Sequence, residues 1–152
     1  MFKVTKEFRF EAGHCLDGHK GKCKNLHGHN YVVYITLCTN RLDDMDMVMD
    51  FYDLKKFADP FFERFDHAFL YNTTAKDEFE HDLAKIVKLH SRKIIELPFR
   101  FTAENMAKYF YNYLSEQLYK ETDEVVINDV VVYETATSFA EYNESRYYNA
   151  NK

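Results

Sequence analysis

The chain has 152 residues, 46% hydrophobic and 30% charged, which fits one soluble globular domain over residues 1–152 with a real core. A formal net charge of -5 argues against broad nucleic-acid binding, and no apolar run approaches the length of a membrane span. Three cysteines, Cys15, Cys23 and Cys38, follow an N-terminal stretch, "MFKVTKEFRF", that has no apolar core or cleavage site of a signal peptide, so free thiols and a cytoplasmic location are expected.

Residues 2 to 12 alternate, with Phe8, Phe10 and Ala12 on one parity, and predict a strand with one buried face. "CLDGHKGKCKNL" (15 to 26) carries Gly18, Gly21 and three lysines and predicts a loop. "HNYVVYITLCT" (29 to 39) is β-branched and aromatic, a second strand that closes a long-looped hairpin. "MDFYDLKKFADPFFERF" (49 to 65) has helical spacing, and Pro60 inside it predicts a kink or two pieces. The charged stretch 72 to 91 fits a short helix, a loop or a mobile insertion, and "RKIIELPF" (92 to 99) fits a brief strand ended by Pro98. "TAENMAKYFYNYLSEQLYK" (102 to 120) is the clearest helix, with Thr102 as N-cap and Glu104 in the first turn. "EVVINDVVVYET" (124 to 135) is a third long strand, and "SFAEY" (138 to 142) a short fourth. The order β-β-α-α-β-β predicts an α+β fold, an antiparallel sheet with two helices on one face.

His27 and His29 share strand parity and aim two imidazoles to one side, while Gly28 between them permits close approach on the other. His14 ends the first strand, and antiparallel pairing across the loop brings it beside them. Three imidazoles with one open position is the pattern of a catalytic zinc site rather than a closed structural one. Cys23 lies in the facing loop among Lys20, Lys22 and Lys24, and reads either as a reactive thiol favoured by nearby cations or as an ordinary loop cysteine. Those lysines are a solvated loop or a patch that meets an anionic part of a substrate, such as phosphates. Cys15 and Cys38 read as packing residues; His19, His81 and His90 read as solvated surface. Asp66 and His67 pair an acid with an imidazole suited to proton transfer, although neighbouring residues need not bond each other. Glu134 ends an apolar strand and needs donors, either a neighbouring backbone or a ligand with two adjacent N–H groups.

"FRFEAGH", "CKNLHGHNY", "MVMDFYDLKKF", "FDHAFL", "FTAENMAKYF" and "VVYETATSFAEY" occur in the order seen in the 6-pyruvoyltetrahydropterin synthase / 6-carboxytetrahydropterin synthase family, which the chain resembles over nearly its whole length. The resemblance implies a tunnelling fold (T-fold) that oligomerises into a barrel: a homo-oligomer built on trimers, commonly a hexamer, with active sites at subunit interfaces. It implies Zn2+ held by His14, His27 and His29, and Cys23 as the proton-abstracting thiolate. Asp66 and His67 would assist proton transfer, from their own or a neighbouring subunit. Glu134 would anchor the pterin's N–H edge, with Thr102 and Glu104 near the substrate. The implied substrate is 7,8-dihydroneopterin triphosphate, a small molecule; no nucleic acid or membrane is expected as a partner. The three residues between Cys23 and His27 resemble the bacterial 6-carboxytetrahydropterin synthases of queuosine (deazaguanine) biosynthesis, whereas the pyruvoyl enzymes of biopterin synthesis resemble C-x5-HGH. The expected reaction is therefore a lyase reaction yielding 6-carboxy-5,6,7,8-tetrahydropterin, acetaldehyde and triphosphate. The alternatives are a 6-pyruvoyltetrahydropterin synthase, an inactive zinc-binding scaffold, or a zinc hydrolase in which Cys23 is dispensable. Two departures from the family pattern, a long segment 72 to 97 and a Tyr-rich tail after 142, could alter substrate choice or assembly.

Overall fold

Alternation along the first strand places Phe8, Phe10, Ala12 and His14 on one buried face of β1 (Phe2–His14), while Glu7, Arg9 and Glu11 stay exposed on the other. The fold is that of a computed structural model, which describes residues 1–144; the Tyr-rich tail beyond Glu144 lies outside the described residues. β1 pairs antiparallel with β2 (His27–Thr39) in an unbroken register from Phe2↔Thr39 to His14↔His27. β5 (Val126–Thr135) adds antiparallel to β2, and β6 (Ser138–Tyr142) to β5.

The other flank of β1 departs from the expected plan. β3 (Ala68–Asn72) runs parallel to β1, and β4 (Ile94–Leu97) parallel to β3, giving a mixed six-stranded sheet of order β4-β3-β1-β2-β5-β6. The wholly antiparallel sheet with two helices is corrected accordingly. The stretch 72 to 91 is largely a third helix, and its role explains the parallel pairing. Parallel neighbours need a crossover of a dozen or more residues, and α2 (Glu78–Leu89) supplies it between β3 and β4.

α1 (Phe51–Glu63) and α3 (Ala103–Glu121) share one face of the sheet. Leu54, Ala58, Phe61 and Phe62 from α1 and Met106, Phe110, Leu114 and Leu118 from α3 join Phe8, Phe10, Tyr31, Val33, Ile35 and Val132 in one core. Stacked and edge-on rings hold its centre: Phe10–Tyr31 at 4.8 Å and Phe65–Phe110 at 5.1 Å between centroids. α1 continues through Pro60 as one helix; the proline lies in its last turns, exposed, so neither two pieces nor a break results. α2 covers the opposite face, where Ala84 packs on Phe69 and Cys15. Asp50, Asp77 and Thr102 cap the three helices by accepting main-chain N–H bonds at 2.6, 3.0 and 3.4 Å.

Candidate metal centre and active site

The register of the β1–β2 hairpin sets His14 directly opposite His27, and Ala12 opposite His29. All three imidazoles lie on the core face at one end of the sheet, and their ring nitrogens fall within 4.8 Å of one another. Gly28 permits this: a Cβ there would stand 3.0 Å from the Ala12 carbonyl oxygen of the adjacent strand. Two of the rings have main-chain partners that orient them. His14 Nδ1–H donates to Phe101 O at 2.9 Å and His27 Nδ1–H to Asn25 O at 2.7 Å. The His29 ring lies near the main chain of Glu134, at a bulge between Tyr133 and Thr135 in the β5–β6 ladder. With the protons on Nδ1, His14 and His27 keep an Nε2 lone pair for a ligand, as oriented metal-binding imidazoles do.

Burial favours the neutral, ligating form. His14 is fully buried and its pKa is pushed down to about 4, first by burial and then by His27 and His29. Burial, followed by His27, also lowers His29. Three buried polar atoms have no hydrogen-bond partner here among the described residues: His14 Nε2, Tyr31 Oη and Glu134 Oε1. They belong to one neighbourhood, since the Tyr31 ring stands 5.4 Å from His29 and 6.2 Å from His14, and Glu134 acts on Tyr31 and is acted on by His27. Buried polar atoms are normally paired, so three orphans in one place fit a cavity that takes a cation and a polar ligand. A donor set of three imidazoles suits a borderline-soft divalent ion such as zinc.

Glu134 is half-buried, and its carboxyl is raised by burial and by the nearby Glu104, against a lowering from His27. Glu104 is exposed on the first turn of α3; the Thr102 hydroxyl is engaged as that helix's cap. Cys23 sits half-exposed in a short 3-10 turn, Lys22–Lys24, whose carbonyl at Cys23 accepts the Leu16 N–H at 2.9 Å and so ties the loop across its base.

Asp66 and His67 form a bonded pair: Asp66 Oδ2 accepts from His67 Nδ1 at 2.7 Å. Neighbouring side chains meet because His67 adopts a left-handed backbone with φ of 55°, which the dipeptide sequence does not reveal. The Glu11 N–H, then His67, hold the Asp66 carboxyl low, and Asp66 raises His67. This pair lies by Glu11, on the face of β1 opposite to Ala12 and His14, so one chain places the three histidines and the acid–imidazole pair on opposite faces of its sheet.

Sequence reasoning missed Tyr31, although its place two residues past His29 on the same parity was a usable signal. It also misplaced His81, which is not free surface: its Nδ1 meets Tyr71 Oη at 2.5 Å and its Nε2 meets Ala75 O at 2.8 Å, tying α2 to β3. His19 and His90 are exposed, and Cys15 and Cys38 are buried.

The family model described as 6-pyruvoyl tetrahydropterin synthase matches residues 3–145. The chain belongs to that family. Among relatives, the 6-carboxy-5,6,7,8-tetrahydropterin synthase of Haemophilus influenzae is 38% identical over 148 residues, 95% of this chain and 100% of that protein. The protein of the same name from Aquifex aeolicus is 37% identical, covering 94% of this chain and 98% of its own. Among solved structures, an uncharacterized protein of Wolinella succinogenes superposes with a TM-score of 0.78 at 22% identity, over 95% of this chain and 98% of that one. The 6-pyruvoyl tetrahydropterin synthase of Plasmodium falciparum gives 0.70 at 21%, over 94% and 97%. These two likenesses carry the fold, a T-fold, and the family's sheet and helix plan is the one described above. No helix of the described residues is long and apolar enough to cross a membrane.

Proposed function

We propose that this protein is a zinc-dependent lyase that converts 7,8-dihydroneopterin triphosphate into 6-carboxy-5,6,7,8-tetrahydropterin, acetaldehyde and triphosphate, a step of queuosine-type deazaguanine biosynthesis. Family membership and the two relatives named as 6-carboxy-5,6,7,8-tetrahydropterin synthases support a pterin lyase of the tetrahydropterin synthase type. The observation that carries the reading to this site is the meeting of three orphaned buried atoms, His14 Nε2, Tyr31 Oη and Glu134 Oε1, in one neighbourhood.

We assign the residue roles on the family resemblance, with the geometry in support. His14, His27 and His29 hold the ion through ring nitrogens whose tautomers the main chain sets. Bound zinc supplies a Lewis acid that makes a substrate hydroxyl and its neighbouring C–H easier to deprotonate. Glu134 offers a carboxylate with an unpaired oxygen to the amino-pyrimidinone N–H edge, whose two donors replace those the protein does not provide. Glu104, close enough to raise Glu134, borders the same end of the site. Thr102 presents that helix turn through its cap. Cys23, as thiolate, removes a proton from the side-chain carbon, acting from a turn that also bears Lys22 and Lys24. His67, held by Asp66, moves the second proton. Because the pair lies on the far face of its own sheet, it serves the centre of a neighbouring subunit in a homo-oligomer built on trimers, most simply a hexamer.

The test is to supply the zinc-loaded protein with 7,8-dihydroneopterin triphosphate, identify the pterin product by mass spectrometry and assay acetaldehyde. A 6-carboxytetrahydropterin with acetaldehyde supports the reading. A 6-pyruvoyl product without acetaldehyde moves the protein to the biopterin-type branch. No turnover by a metal-replete oligomer favours the scaffold. In parallel, Cys23→Ala is expected to keep its zinc and to lose about 10²–10⁴ in rate, the worth of a positioned proton-transfer group. Full activity in that variant favours a hydrolase.

A further inference from the structure

Glu11 has no place in the site as described, yet it touches the Asp66–His67 pair at three points. Its main-chain N–H donates to Asp66 Oδ1 at 2.9 Å. Its carbonyl accepts the His67 N–H at 2.6 Å. Its own carboxylate, Oε2, lies 3.7 Å from His67 Nε2. The first two contacts hold the left-handed backbone at His67 that turns neighbouring side chains toward each other. The third places a negative charge at the ring nitrogen that Asp66 leaves free.

We propose that Glu11 is a positioning residue for proton transfer by His67: strand β1 clamps the imidazole between two carboxylates, Asp66 at Nδ1 and Glu11 at Nε2. This inference rests on the proposed role of His67 in proton transfer. The clamp favours the ring at the moment it carries two protons, since Nε2–H then faces Glu11 and Nδ1–H faces Asp66. When the ring is neutral, the Nε2 lone pair stands 3.7 Å from a carboxylate, whose negative charge favours arrival of a proton at that nitrogen. The charges around the ring are unequal. Asp66 and Glu11 favour its cation, and Lys93 opposes it. Lys93 precedes β4 and donates to Glu63 O at 2.5 Å, at the end of α1. Arg92 lines the same groove as His67, Glu11 and Lys93. No proton is created or lost: the one that His67 takes at Nε2 is the one it returns.

Glu11→Gln removes the charge and leaves both main-chain bonds in place, so it separates the carboxylate from the scaffold. Glu11→Asp keeps the charge on a shorter arm. The zinc-loaded oligomer of each variant is compared with the parent by NMR titration of the His67 ring and by the pH profile of kcat. The expected result is that the His67 midpoint, and the kinetic limb that follows it, move to lower pH by about half a unit in Glu11→Gln, the scale of one exposed ion pair. Partial return in Glu11→Asp, with KM and zinc content unchanged in both, completes the expectation. A His67 midpoint that stays fixed in Glu11→Gln overturns the proposal. The titration needs no turnover, so an inactive protein would sink the proposed reaction and leave this question still answered by the NMR result.

Discussion

The three cysteines differ in what can reach them, and that difference is measurable without substrate. Cys15 and Cys38 are 5% and 6% exposed, and burial, then Glu80 and Asp77, push the Cys15 thiol up to about 12. Cys23 is half-exposed in a turn flanked by lysines. Iodoacetamide at neutral pH is expected to modify Cys23 first and to leave Cys15 unmodified in the folded protein, as read by peptide mass spectrometry. Early labelling of Cys15 would remove the distinction on which its packing role rests. Single residues were legible in the sequence where one periodicity decided them. His27 and His29 share a parity, and an antiparallel hairpin puts His14 opposite them, so the cluster needs only the alternation of a strand. The bond between Asp66 and His67 was not legible, because it depends on a left-handed backbone at a residue that is not glycine. That conformation is held by Glu11, 55 positions away from Asp66, and no local pattern records it.

Elements were legible where their amphipathic pattern was long. β1, β2, β5 and α3 lie close to where alternation or helical spacing puts them. β3 was hidden because its five residues are buried on four positions, which gives an apolar run without period. α2 was ambiguous because the residues it buries include Glu80, a charge where a hydrophobic residue is expected. Glu80 is 1% exposed, and its Oε1 accepts the Asn72 N–H at 2.8 Å, which fixes α2 to the end of β3. Burial raises its carboxyl above the ordinary value of 4.5. A carboxyl raised in the folded state contributes stability that is full below its unfolded pKa and is lost as pH rises through its folded pKa. Glu80→Gln keeps the acceptor for Asn72 and removes the titration. Its melting temperature is therefore expected to gain on the parent's as pH rises between about 4 and 8. Parallel melting curves across that range would show that Glu80 titrates alike folded and unfolded. The hairpin itself offers a second test. Gly28→Ala sets a methyl 3.0 Å from Ala12 O, at the end where the histidines meet. Overpacking there is expected to cost about 1–3 kcal/mol and to weaken zinc binding, read by thermal unfolding and metal titration. Zinc affinity equal to the parent's would show that the strands yield without moving the rings.

At the scale of the molecule, one chain carries both halves of the proposed chemistry but keeps them apart. The histidines occupy the core face of β1 and β2, under α1 and α3, while Glu11, Asp66 and His67 occupy the other. The sheet also ends in two short open strands, β4 with four residues and β6 with five, each presenting an edge that is unpaired among the described residues. Association of copies edge to edge would cover both edges and carry the acid–imidazole pair of one copy to the histidines of the next. Complementation separates a shared centre from a private one. A His14→Ala chain lacks part of the metal set and keeps the pair; a His67→Ala chain keeps the metal set and lacks the pair. Each variant alone is expected to be inactive in its own oligomer. If the centre is shared, mixed oligomers assembled from equal amounts contain interfaces in which the metal set of the second chain meets the pair of the first. Random assembly makes that arrangement about one quarter of all interfaces, so activity should recover to about a quarter of the parent's. If both halves must come from the same chain, every centre in the mixture lacks one of them and the mixed sample stays inactive, and the placement of His67 at a neighbour's site is then wrong.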